Sequence, residues 1–312
     1  MKVTEAKTRF TDYLQNEKRR AALTVTTYGI VLDDFESFLE RNDISDISEV
    51  GAREIREWQM EHSEQGEKAT TIAKKISILR SWFSYLRKEK LYDADVMAKI
   101  TSPKKPKHLP IFFKEKEVEK IYDTGLFPDT FEGERDKLIL RILYETGVRR
   151  SELVGLKESD IDTSRHILKV LGKRNKERFI PIENELEQNI KRYIALKEEI
   201  ENRDDALFIN ARGKAIGAAN VYTIVKKYMS TVSQADRISP HVFRHTFATL
   251  MLNEGADIDA IKELLGHASL NATEIYTHVT REHLKETYRH SHPRAKKKST
   301  EKPIITQQKE DL

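Results

Sequence analysis

The stretch PHVFRHTFATLMLNEGADIDAIKELLGHASLNATEIYTHV, residues 240–279, carries the reading from which the rest of the chain follows. Its apolar spacing predicts three consecutive helices, near 240–254, 257–266 and 270–278. Pro240 suits the first turn, where its missing N–H is no loss. His241 and Arg244 stand at i and i+3, hence on one face of the first helix. His267 closes LLGH after the second, and Tyr276 lies in the third, thirty-five residues beyond His241. Two imidazoles, a guanidinium and a phenol are thus gathered, a set suited to covalent attack on a phosphodiester. A phenol titrates near pH 10, so only about 0.1% is ionised at neutral pH without help. A cluster of cations beside it is the natural remedy.

Two further pieces lie upstream: Arg149 in YETGVRRSELVGL and Lys173 in VLGKRNKERFIPI. Opening a phosphodiester requires neutralising the charge on the non-bridging oxygens, delivering a nucleophile in line and protonating the departing oxygen. Arg149 and Arg244 match phosphate bidentately and stay charged at any working pH. Glu152, one helical turn beyond Arg149, is placed to orient a neighbouring cation or imidazole. Lys173 falls at the tip of a hairpin predicted from HILKVL (166–171) and RFIPI (178–182), where a flexible ammonium can act as general acid; Lys176 is the second candidate. The sharpest rival is a metal enzyme, because His241 and His245 have the i, i+4 spacing of zinc ligands. The helix lacks the HExxH glutamate, however, and the chain has no cysteine. No cofactor is implied.

Taken together, the order, spacing and wording around Arg149, Lys173, His241, Arg244, His267 and Tyr276 resemble the tyrosine recombinases, most closely their bacterial Xer branch. The likeness runs from about residue 8 to 295 and is strongest in TGVRRSELVGL, GKRNKER, HVFRH, LLGH and SLNATEIYTHV followed by HLKETYRHSHPRA. This chain departs from the family wording at Arg150, where an aliphatic residue is usual, and at Arg174, where GKGNKER has glycine.

The wider chain is read from its residues. At 312 residues it suits two domains. Charged residues at 34% and hydrophobic ones at 38% fit a globular protein with a heavily solvated surface. No stretch approaches a membrane span, and MKVTEAKTRF lacks the apolar core of a secretory signal, so a cytoplasmic protein is expected. The net charge is only +4, but basic residues cluster at 18–20, 74–80, 104–107, 173–178 and 294–298. PKKPKHLP, residues 103–110, holds three of the eight prolines and reads as a stiff, extended joint. It separates an all-helical unit, 1–102, from a mostly helical α+β unit, 111–292, which is followed by a charged tail, 293–312. Four helices are expected in the first unit, at 4–20, 24–41 with Thr24 as N-cap, 51–64 and 68–89. In the fourth, Ile72, Ile76, Leu79, Phe83 and Leu86 form the core stripe, and Lys74, Lys75 and Arg80 lie off it. In the second unit, helices are expected at 114–124, 134–146, 151–156, 183–201, 218–232 and 281–290 besides those above, with a short strand at 207–210.

What the resemblance implies is an N-terminal SAM-like, core-binding helical domain and a C-terminal tyrosine recombinase catalytic domain. The six residues named above would then be catalytic, and Lys74, Lys75, Arg80, Lys104, Lys105 and Lys107 would contact DNA. It implies cleavage and rejoining of double-stranded DNA through a 3′-phosphotyrosyl bond at Tyr276 and a Holliday junction. It further implies a homo- or hetero-tetramer, and resolution of chromosome dimers with a second Xer-type recombinase and an FtsK-like DNA translocase. The segment after Tyr276 is expected to pack into a neighbouring subunit. An integrase or resolvase of a mobile element shares every one of these residues, and a type IB topoisomerase shares the chemistry.

Overall fold

The computed structural model describes residues 1–104, 111–123, 125–172, 175–266, 287–288 and 290–292. The chain divides into two compact units, Met1–His108 and Leu109–Leu312. No helix among the described residues is long and apolar enough to cross a membrane.

The N-terminal unit is helical. Its elements are α1 (Val3–Asp12), α2 (Ala22–Arg41), α3 (Ala52–Glu64) and α4 (Ala69–Lys88). The expected first helix stops earlier than its periodicity, because a π turn at Tyr13–Glu17 breaks the ladder and Arg19 adopts a φ of 45°. Helix α2 opens at Ala22, so Thr24 lies in its first turn and is not the N-cap. The expected stripe of α4 is buried: Ile72, Ile76, Leu79, Phe83 and Leu86 are each at most 3% exposed. Around it pack Phe10, Phe35, Trp58 and Trp82. Burying each such side chain contributes roughly 1.5–3 kcal/mol, which is why a four-helix unit of this size can hold its own core.

The C-terminal unit is built around α6 (Phe131–Thr146), which is buried on nearly every side and packs against α8 (Asn184–Glu198) and α10 (Pro240–Asn253). Its charged members are paired where they are buried: Arg135 with Asp136, and Arg141 with Glu145 and Glu185. Preceding it is α5 (Glu115–Asp123); following it is the short α7 (Arg150–Val154). A three-stranded antiparallel sheet comes next, β1 (Ile161–Asp162), β2 (Ile167–Leu171) and β3 (Glu177–Pro181), in the order β1-β2-β3. The expected hairpin is therefore present, with Ile167 opposite Pro181 and Leu171 opposite Glu177. Its inward alternation buries Leu168 and Val170. Strand β1 is two residues long, too short to show a period in the sequence. Helices α9 (Ala218–Met229) and α11 (Ile258–Leu265) follow among the described residues. The strand expected at 207–210 does not form a ladder; Ile209 makes only an isolated bridge to Ala215, and Ala206 one to Lys157.

Of the segment expected to dock on a neighbour, Tyr288, Ser291 and His292 are buried in the core of their own chain. Tyr288 donates its hydroxyl to the Glu145 carbonyl at 3.0 Å and stacks on His292 with centroids 5.0 Å apart. The helices expected at 270–278 and most of 281–290, and the tail from 293, lie outside the described residues.

Candidate active site

Gly147 ends α6 in the left-handed conformation, φ 59°. A Cβ there would stand 2.8 Å from Phe247 and 2.9 Å from Leu265, so the turn needs glycine for both backbone and space. Two residues on, Arg149 is the N-cap of α7, and Glu152 at the third helical position accepts the Arg149 backbone N–H at 2.8 Å. The same carboxylate accepts Nη1 of Arg149 at 2.7 Å. Of the cation or imidazole that its spacing allowed, Arg149 is one partner that Glu152 holds.

Helix α11 ends at Gly266, also left-handed with φ 63°. Its last carbonyls point at three guanidiniums, one each. Arg178 donates Nε to Leu264 at 2.8 Å, Arg244 donates Nη2 to Leu265 at 2.5 Å, and Arg149 donates Nη2 to Gly266 at 3.0 Å. The negative end of a helix dipole thus anchors three cations that would otherwise repel one another. Arg244 also donates Nη1 to the Gly147 carbonyl at 2.8 Å. Partial burial, then Arg149, lowers its guanidinium to about 10, which leaves it charged at neutral pH. Burial by itself would raise the Glu152 carboxyl, but hydrogen bonds and charge from Arg178 and Arg149 outweigh it and hold the group at about 2.

His241 stands on the first turn of α10, exposed, with its imidazole pushed below the ordinary range. Desolvation is the largest cause, followed by Arg150, Arg244, Arg237 and Arg149. The shift favours the neutral imidazole, which can accept or donate a hydrogen bond without adding another cation. His245, one position beyond Arg244, is exposed. The structure brings Arg149, His241 and Arg244 together. Lys173, His267 and Tyr276 lie outside the described residues, the first following Gly172 at the end of β2 and the second following Gly266.

The residue that sequence reading missed is Arg178, which stands there only within a basic run. Its guanidinium grips Glu152 with Nη1 at 3.0 Å and Nη2 at 2.7 Å, and its side chain is 10% exposed. A usable signal is present in the chain. On β3, residues 178 and 180 share a face, and Ile180 is fully buried. A charge at an inward strand position requires a buried partner.

In the N-terminal unit Lys74 is exposed, as is Lys104. Arg80 is exposed and donates Nη2 to the Ile100 carbonyl at 3.2 Å. Lys75 is engaged internally: its ammonium lies 2.7 Å from Glu67 and 3.1 Å from Asp34, beside the buried His62. Its charge is answered within the protein. Lys105 and Lys107 lie outside the described residues.

With this geometry established, comparison with known proteins identifies the chain's relatives. The profile of the phage integrase family matches residues 112–283, and that of the phage integrase N-terminal SAM-like domain matches residues 8–90. Tyrosine recombinase XerC of Listeria innocua is 38% identical over 291 residues, covering 92% of this chain and 97% of that protein. Tyrosine recombinase XerC of Bacillus subtilis is 37% identical over 295 residues, 93% of this chain and 97% of that protein. Among solved structures, XerH site-specific recombinase bound to palindromic difH substrate has the same fold, with a TM-score of 0.68 at 23% identity, over 90% of this chain and 83% of that one. The Tn1549 transposon integrase in complex with circular intermediate DNA has a TM-score of 0.67 at 20% identity, over 92% of this chain and 98% of that one. The chain belongs to the phage integrase family, the tyrosine recombinases.

Proposed function

We propose that this protein is a site-specific DNA recombinase in which Tyr276 is the nucleophile. Tyr276 gives up its phenolic proton to solvent or to an imidazole of the pocket, the phenolate oxygen attacks a backbone phosphorus, the P–O bond to the 5′ oxygen breaks, and the DNA is held as a 3′-phosphotyrosine. Lys173 supplies the proton to the departing 5′ oxygen. A 5′ hydroxyl from the partner duplex reverses the step, so the bond energy is conserved and rejoining needs neither ATP nor metal. Two such exchanges pass through a Holliday junction.

One observation carries this reading: Arg149 and Arg244 are held side by side on the consecutive carbonyls of Leu265 and Gly266 at the end of α11, with His241 near both. Each guanidinium keeps further N–H groups for the non-bridging oxygens of a phosphate. Such preorganised donors stabilise the charge that grows on phosphorus as the phenolate attacks, each worth about 2.7–4 kcal/mol in comparable sites. His241 and His267 would complete the pocket as hydrogen-bond partners of the phosphate and the nucleophile.

The XerC names of the relatives are consistent with a chromosomal role, the resolution of chromosome dimers. Action as a tetramer on a duplex recombination site, with a second Xer-type recombinase and an FtsK-like translocase, is part of the same proposal and rests on the family resemblance. Lys74, Arg80 and Lys104 would contact DNA, with Lys105 and Lys107. Lys75 would join them only by leaving Asp34 and Glu67.

The test is a suicide duplex nicked beside the cleavage point, incubated with and without EDTA. The expected result is a covalent protein–DNA adduct that survives EDTA and is absent from Tyr276→Phe, which still binds the duplex. An adduct in Tyr276→Phe would assign the nucleophile elsewhere. Junction formation between two duplexes separates a recombinase from a topoisomerase, which cleaves without exchanging partners.

A further inference from the structure

We propose that Arg178 is the positioning residue that sets Arg149 for strand cleavage, an inference that rests on the recombinase reading above. Two contacts transmit its position. Through Glu152, the fork of Arg178 occupies both carboxylate oxygens, at 3.0 and 2.7 Å, leaving that group one orientation in which to receive Nη1 of Arg149. At Gly266, whose carbonyl takes Nη2 of Arg149, a Cβ would stand 3.2 Å from Cδ and 3.3 Å from Nη1 of Arg178. The Arg178 side chain therefore packs directly on the peptide that holds the other nitrogen of Arg149.

Arg178 is itself immobilised by its Nε bond to Leu264 at 2.8 Å and by its burial. Both terminal nitrogens of Arg149 are consequently fixed by groups that Arg178 touches, while the remaining N–H groups of Arg149 stay available to a phosphate. No part of Arg178 needs to meet the substrate. Lysine in its place retains the charge but offers no fork, so Glu152 could rotate and Arg149 would sample several orientations. A displacement of about 1 Å in a group of this kind lowers rate on the order of 100-fold.

The experiment compares the full chain with Arg178→Lys and Arg178→Gln on three nicked suicide duplexes. The first has an ordinary scissile phosphate, the second a neutral methylphosphonate there, and the third a sulfur in place of the 5′ leaving oxygen. The expected result is duplex affinity within about threefold of the parent and a cleavage rate constant about 10- to 100-fold lower on the ordinary phosphate. On methylphosphonate, which lacks the ground-state charge and one of the two non-bridging oxygens, the demand on Arg149 is smaller and the deficit shrinks to about threefold or less. With sulfur the deficit persists, because a better leaving group does not replace a misplaced guanidinium.

A deficit equal on phosphate and methylphosphonate would overturn the proposal, as would relief by sulfur or cleavage by Arg178→Lys at the parent rate. Loss of the folded state in both variants, read by thermal unfolding, would make Arg178 a structural residue and also overturn it. A parent chain that forms no adduct on any of the duplexes would refute the recombinase reading itself, an outcome distinct from a cleaving parent with unaffected variants.

Discussion

Arg244 and Gly147, 97 positions apart in the chain, are joined by a hydrogen bond of 2.8 Å from Nη1 to the carbonyl oxygen. The glycine that lets α6 turn toward Arg149 thus also seats the second arginine of the pocket. Replacing Gly147 with alanine forces a left-handed φ on a residue with a Cβ and drives that Cβ into Phe247 and Leu265. We expect Gly147→Ala to lose roughly 2–4 kcal/mol of stability, from backbone strain and overpacking together. Urea unfolding of the full chain measures it, and cleavage of the suicide duplex should fall along with it.

Arg244→Lys tests the geometry of the pocket. One ammonium does not reproduce a planar fork between the Gly147 and Leu265 carbonyls that also faces a phosphate. Cleavage is expected to drop about 100- to 1000-fold. Duplex affinity should change far less, because many other contacts share the binding. Equal loss of affinity and rate would contradict a role centred on the transition state.

Glu152 makes the stability of the C-terminal unit pH-dependent. Its carboxyl sits at about 2, below the 4.5 of an unperturbed group, so the ion pairs with Arg149 and Arg178 contribute fully above pH 4.5. That contribution is lost as pH falls from 4.5 through about 2. In Glu152→Gln the acid-side slope over this window should flatten. The variant should also lose about 3–5 kcal/mol at neutral pH, since it leaves buried guanidinium charge unanswered. Chemical denaturation at a series of pH values reads both effects.

His241 is expected to titrate below its ordinary value of 6.5, with Arg150 the leading electrostatic cause after desolvation. Its lowered value has a definite sign: the unfolded chain takes up a proton first, so stability is lost as pH drops below 6.5 toward the folded value. Arg150→Ala should move the imidazole titration upward, followed by nuclear magnetic resonance of the ring protons. An unchanged titration would remove Arg150 from the electrostatics of the site.

Lys74 and Lys75 are neighbours on α4 with opposite expectations. Lys74→Ala should leave stability unchanged and, if Lys74 contacts a phosphate, lower the salt dependence of duplex binding by about one unit of slope. Lys75→Ala strips Asp34 and Glu67 of their shared cation beside buried His62, so it should destabilise the N-terminal unit. Salt titrations of binding and thermal unfolding separate the two.

Much of the architecture is legible along the chain because it depends on local periodicity. The stripe from Ile72 to Leu86 marks α4, the alternation in HILKVL marks β2, and Pro240 marks the start of α10. Expectation and structure part where the local signal is brief or ambiguous. The apolar run at 207–210 is fully buried at Leu207 and Ile209 yet forms only an isolated bridge, because burial and ladder pairing are separate properties. The π turn at Tyr13–Glu17 follows neither the helical nor the strand period.

Pairs at fixed spacing, such as His241 with Arg244 and Arg149 with Glu152, are legible in the chain because local helix geometry sets them. How those groups are held belongs to the packing of distant elements. Arg178, Leu264 and Glu152 are brought together from β3, α11 and α7, and their bonds span 86 and 26 positions of chain. No local pattern encodes such meetings, because they arise only when separate elements bury their apolar faces on one core and leave their polar ends facing one another. In the N-terminal unit, packing of the same kind made Lys75 an internal ion-pair partner while Lys74 stayed at the surface.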